Sequence, residues 1–219
     1  MTPAAETSNV ASTLIDALIA SNRGDRHAFA FGAKRYSYQD VAALMNRAGN
    51  MLKAIDIPAG AKVLLLLPGS PALVASLLGA MKAGAVPIVG APVDDTPALE
   101  RCVIAAQPAA AIVHQSVLGT AEAALSSLPA DSVIVVGNDV QGHKSFVEAI
   151  RGESSWLSAT PLDSSAPALA IWSGTSLRII SHGELAALVE GQGNGLDGES
   201  ARVLAMLRSF SNGDEAELP

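Results

Sequence analysis

Cysteine is almost missing from this chain. Cys102 stands alone in 219 residues, which rules out an internal disulfide and any metal site built on several thiolates. A single thiol in an apolar segment reads as core packing. Aromatic residues make up 4% and charged residues 16%, against 49% hydrophobic residues, many of them alanine. Disorder throughout is excluded by that apolar content, and the small side chains suit helices packed closely on a sheet. Basic residues thin out along the chain: nine Lys and Arg face eight Asp and Glu up to residue 110, then five face thirteen from 111 to 219. An acidic second half argues against nucleic acid or anionic lipid as a partner, because phosphate binding is driven largely by Lys and Arg. Met1 to Val10 lacks the basic-then-apolar order of a signal peptide. The long apolar run Pro71–Val93 is broken by Lys82, Gly84 and Pro87, so it reads as a helix and a buried strand rather than a membrane span. The expectation is a cytoplasmic chain with no membrane partner.

What is present is an alternation of helix and strand. Leu14, Leu18 and Ile19 stripe a first helix from about Val10 to Ser21. Ala28–Phe31 and Arg35–Ser37 flank Gly32-Ala33-Lys34 as a hairpin. Ser37 with Asp40 has the spacing of a capping box and starts a helix to about Ile55. Val63–Leu67, bounded by Gly60 and Pro68, is a run expected of a strand buried on both faces. Pro71–Ala83 follows as a helix with proline at its first position. After it come a strand at Ala85–Val89, a helix at Thr96–Ala106, a strand at Ala110–Val113, a helix at Val117–Ser127 and a strand at Ser132–Val136. Gly152–Pro167 reads as a linker or surface loop. Beyond it the pattern gives a strand at Ala168–Trp172, a helix at Ser181–Glu190, a flexible link at Gly191–Gly198 and a last short strand at Val203–Leu207. Ser211–Pro219 reads as a frayed acidic tail. The fold class is α/β, a mostly parallel sheet with helices on both faces.

Two motif matches fail on context. Gly193-Asn194-Gly195-Leu196-Asp197-Gly198 fits G-x-G-x-x-G, but a dinucleotide site needs that string after a strand and before a helix; here it follows a helix and reads as a connection. His182-Gly183-Glu184 has the H-x-E spacing of zinc deaminases, whose P-C-x-x-C partner one cysteine cannot supply. His27, His114 and His143 form no ligand set. One constellation remains: the strand Ala168–Trp172 runs straight into Ser173-Gly174-Thr175-Ser176-Leu177-Arg178-Ile179-Ile180-Ser181-His182. A loop rich in Gly, Ser and Thr after a buried strand can aim N–H groups and hydroxyls at an anion, and Arg178 could add a charged contact.

That loop resembles the phosphate-loop region of the adenylate-forming superfamily of acyl-CoA synthetases, aryl-CoA ligases and adenylation domains, approximately [YF]-[ST]-S-G-T-T-G-x-P-K-G-V-x-x-[ST]-H. Other blocks are similar in family order. Arg35-Tyr36-Ser37-Tyr38-Gln39-Asp40 is similar to the entry to an early helix, and Gly60-Ala61-Lys62-Val63 with Pro68-Gly69-Ser70 to a strand and its turn. Leu77–Pro87 is close to a lysine-alanine-glycine block, and Arg202–Leu207 resembles a strand leading toward the acyl-binding region. The resemblance spans about residues 10–210 and implies the N-terminal subdomain of such enzymes.

The departures imply a limit. Ser173-Gly174-Thr175-Ser176 and Ser181-His182 are kept, but the family's G-x-P-K-G between them is rewritten as Leu177-Arg178, without the lysine. One lost charged hydrogen bond costs about 1.5–3 kcal/mol, weakening ATP binding tens- to hundredfold. The family's acid pocket, ribose-binding acid and C-terminal lid lie beyond Phe210. The resemblance therefore implies a truncated AMP-binding domain over residues 1–210 and an acidic tail over 211–219. Catalytic and metal residues are expected to be absent. Ser173, Gly174, Thr175, Ser176 and Arg178 form a vestigial phosphate loop, with no cofactor expected or ATP and Mg²⁺ held only loosely. The expected role is non-catalytic, a protein-interaction or regulatory module. A homodimer or a protein partner would cover the truncated face. The alternative is the N-terminal part of a split ATP-dependent acid–CoA ligase.

Overall fold

A computed structural model describes residues 9–138, 140, 142–192 and 196–219. Its frame is a seven-stranded sheet in the order β7-β6-β5-β3-β4-β8-β9. The strands are β3 (Lys62–Leu66), β4 (Val86–Val89), β5 (Ala110–His114), β6 (Val133–Val136), β7 (Lys144–Ser145), β8 (Pro167–Trp172) and β9 (Leu177–Ser181). All neighbours pair in parallel except β8 and β9. β1 (His27–Phe31) and β2 (Lys34–Ser37) form the separate hairpin expected around Gly32.

The unbroken apolar strands follow from helices on both faces. Val63, Leu65 and Leu67 enter the larger core, while Leu64 and Leu66 point into the opposite one; period-two side chains divide a single run between two cores. The larger core holds α2 (Tyr38–Ala54), α3 (Pro71–Ala83), α6 (Phe146–Arg151), α7 (His182–Val189) and α8 (Gly198–Asn212). The other holds α4 (Thr96–Ala106) and α5 (Gln115–Leu125). The connection after β3 runs to β4 on one side, and the connection after β4 crosses back to β5 on the other, which makes the β3–β5 boundary a topological switch point.

Local signals account for the helix starts. Ser37 and Asp40 complete the capping box of α2, with the Ser37 amide donating to Asp40 Oδ2 at 2.9 Å. Ser70 caps α3 ahead of Pro71, and Gly84 ends it in the left-handed region. α2 and α3 cross at glycines: a methyl on Gly79 would lie 2.7 Å from the Met45 carbonyl and 2.8 Å from the Gly49 amide. The first helix begins as a π turn, Ser12–Asp16, and continues as α1, Ala17–Ala20. It is fixed by Asp16, whose carboxylate meets the buried Lys82 ammonium at 2.7 Å, and by Asn9, whose amide donates to the Met81 carbonyl.

Three expectations need correction. Val203–Leu207 is not a strand but the middle of α8, which buries Ser200, Val203, Leu204, Met206, Leu207 and Phe210; that spacing is helical, and five residues were too few to show it. Leu177–Ser181, read as loop, is the antiparallel edge strand β9. The last residues are docked rather than frayed. The Ala216 amide donates to the Ala28 carbonyl at 2.7 Å, and the Tyr38 hydroxyl donates to the Asp214 carbonyl at 2.7 Å. The segment between α6 and β8 is a surface loop, one of the two readings its composition allowed, and it is strapped down: Asn46 donates to the Ser155 carbonyl, and Thr160 Oγ1 to the Ala83 carbonyl.

Candidate functional site around the β8–β9 turn

The candidate loop is a tight hairpin turn. Trp172 ends β8, and the Ser173 amide and hydroxyl both donate to the Ser176 carbonyl, at 3.0 and 3.1 Å. The two serine hydroxyls lie 2.9 Å apart. Gly174 has φ +88, a left-handed conformation that a side chain would strain. Ser173 to Ser176 are exposed, and much of their hydrogen-bonding capacity is spent within the turn.

A cavity of about 490 Å³ lies beside this turn, walled by Trp172, Ser173, Gly174 and Arg178 on one side and by Asp197, Glu199 and Ser200 at the start of α8 on the other. Of the sequence-derived set, Ser173, Gly174 and Arg178 meet there. Thr175 and Ser176 do not line it. Arg178 is committed elsewhere: its guanidinium donates to Glu184 Oε1 at 2.6 Å. Glu184 is itself fixed, because its amide is capped by the Ser181 hydroxyl at the first turn of α7.

The electrostatics of this cavity disfavour a polyanion. Glu199 is held above the usual carboxylate range by burial, with Arg202 opposing that shift, and Asp197 stands beside it. At the wall of this cavity the buried Trp172 indole N–H has no acceptor. Among the described residues no three His, Cys, Asp or Glu side chains gather to hold a metal. His182 is fully buried, and its Nδ1 accepts from the Val10 amide at 3.2 Å. Burial pushes its pKa down to about 4. Its place is structural, tying α7 to the N-terminal segment. Of the G-x-G-x-x-G string, Gly193 to Gly195 lie outside the described residues; Gly198 opens α8.

The sequence reading missed Trp172, Glu184 and Glu199. Only Glu184 left a signal: it stands three residues after Ser181, which is capping spacing.

Comparison with known proteins decides the family. The model of the AMP-binding enzyme family matches residues 18–203. The chain belongs to the AMP-binding enzyme family. Within it, 80 residues are 39% identical to a 3-hydroxybenzoate–CoA ligase of Aromatoleum sp. (strain CIB), covering 36% of this chain and 15% of that protein. A 3-hydroxybenzoate–CoA/4-hydroxybenzoate–CoA ligase of Thauera aromatica is 35% identical over 80 residues, again 36% and 15%. An anthranilate CoA ligase in complex with anthranoyl-AMP superposes with a TM-score of 0.84 at 22% identity, over 96% of this chain and 45% of that one. A benzoate CoA ligase from Burkholderia xenovorans gives 0.83 at 18%, with the same coverage. The fold is that of the N-terminal subdomain of adenylate-forming enzymes, and the chain spans under half the length of these structures. No helix among the described residues is long and apolar enough to cross a membrane.

Proposed function

We propose that this AMP-binding-family chain does not form acyl-adenylates by itself and acts as a protein-interaction or regulatory module. The observation carrying this reading is the state of the turn. Its one cation, Arg178, is neutralised by Glu184 at 2.6 Å, and the cavity beside it is flanked by Asp197 and Glu199. A nucleotide phosphate would have to displace a carboxylate and then sit against two more. Its partner is a second copy of the chain or another protein, and ATP with Mg²⁺ is held loosely if at all.

The test combines binding and turnover. Pure chain titrated with ATP, with and without Mg²⁺, should show no rise in melting temperature. Incubation with ATP, CoA and a panel of fatty and aromatic acids should give no AMP above background. Acid-dependent AMP formation that scales with protein and survives repurification would end the proposal.

One observation favours a second reading, the N-terminal part of an ATP-dependent acid–CoA ligase: the 39% identity over 80 residues to a hydroxybenzoate–CoA ligase. It calls for AMP formation only when a polypeptide carrying the remainder of such a ligase is added.

A further inference from the structure

An apolar opening lies on the far side of the sheet from α4 and α5, where the carboxyl ends of β3, β5 and β6 face the β1–β2 hairpin. It measures about 500 Å³, within the range of small-molecule pockets. It adjoins the switch point between β3 and β5, the place where open α/β sheets present a crevice. Phe31, Tyr36, Leu44, Ala72, Val136 and Phe146 give it an apolar body. Phe31 and Val147 remain 47% and 50% exposed at its wall.

The charges around this body are unbalanced. Asp40, Ala43, Leu44 and Arg47 project into it from successive turns of α2, and Lys34 joins from the hairpin. The Asp40 carboxylate is already used, accepting from the Ser37 amide and hydroxyl at 2.9 Å each. Lys34 lies 4.4 Å over the Tyr36 ring, and neither it nor Arg47 has an ion pair among the described residues. Arg47 Nε is buried there without a hydrogen-bond partner. A buried guanidinium donor left unpaired is costly, and a carboxylate is the group its fork matches.

We propose that this cavity binds an amphipathic monocarboxylate, its apolar body between α2, α3 and α6 and its carboxylate on Arg47, with Lys34 completing the charge. The site is separate from the β8–β9 turn, and its success or failure leaves the reading of that turn untouched.

Octanoate and octan-1-ol serve as probes, titrated calorimetrically into the full chain. Octanoate should saturate and bind at least tenfold tighter than the alcohol, which has the same body without the charge. Arg47→Gln should remove most of that tenfold preference while leaving octan-1-ol binding unchanged. Lys34→Gln, at an exposed position that does not endanger folding, should reduce the preference severalfold. Lys53→Gln, a charge lost elsewhere on α2, should have no effect. Equal binding of the two probes, no saturation by octanoate, or an undiminished preference in folded Arg47→Gln and Lys34→Gln would overturn the proposal. So would self-association that is insensitive to octanoate and lost in Arg47→Gln, which would assign the cavity to a second copy of the chain.

Discussion

Replacing Gly79 by alanine places one methyl where α2 and α3 touch. The added carbon would lie 2.7 Å from the Met45 carbonyl oxygen, 2.8 Å from the Gly49 amide nitrogen and 2.9 Å from Ala48 Cβ. Two of those atoms are backbone and cannot rotate away, so the helices must separate by several tenths of an ångström. Overpacking of this kind costs about 1–3 kcal/mol, and rigid neighbours place Gly79 at the upper end. Alanine returns about 1 kcal/mol through helix propensity and a less flexible unfolded chain. The net expectation is a loss of about 2 kcal/mol, or roughly 4–8 °C in Tm for a chain of this size. Gly119 in α5 supplies the control, because nothing lies within 4 Å of a methyl built there. The same substitution at that site should raise stability by about 1 kcal/mol. The unfolded-state contribution is common to both, so the difference in urea midpoint at constant m reads the helix contact itself. A Gly79→Ala variant as stable as the parent, or no less stable than Gly119→Ala, would refute the close-contact argument.

Three further outcomes follow from the interior. His182 titrates at about 4 in the fold against about 6.5 unfolded, so the unfolded chain binds the extra proton between those values. Stability should be flat above pH 6.5 and fall by up to about 3 kcal/mol as pH drops to 4; His182→Asn, which keeps an acceptor for the Val10 amide, should flatten much of that slope in urea midpoints. Tyr38 is held at about 12 chiefly by burial, with Asp214 adding to the shift, and its hydroxyl holds the Asp214 carbonyl. Tyr38→Phe should cost about 1 kcal/mol and speed exchange of the Ala216 amide, and unchanged exchange would dissociate the tail from that bond. Arg178→Ala breaks an ion pair whose two side chains are half exposed. It should cost under about 1 kcal/mol, and a larger loss would mean the pair organises the β8–β9 hairpin.

Legibility in the sequence tracked the strength of local chemistry. The helices Pro71–Ala83 and Thr96–Ala106 were bounded correctly because each has a polar cap, an early proline and a clear stop, at Gly84 and at the left-handed Gln107. The strands of the sheet centre were legible as continuous apolar runs. β7 and α6 were not, being two and six residues long, shorter than any window in which periodicity can be counted. β9 shows no clean alternation of buried and exposed positions, and its strand character comes from pairing with β8. The turn itself was located correctly, but the partner that occupies Arg178 was not. The apolar cavity could not be read, since its wall is drawn from residue 31 to residue 150 and only the tertiary fold assembles it.

The anchoring of the N-terminal segment sets an order on synthesis. Asn9 bonds to the carbonyls of Met81 and Lys82, and the Val10 amide meets a ring nitrogen 172 residues downstream. At roughly 5–20 residues per second, a ribosome needs roughly 10–30 s to travel that interval. Throughout it the apolar stripe of Val10, Leu14 and Leu18 has no completed seat. The segment around Asn9 and Val10 is therefore among the last parts of this fold to be locked in place.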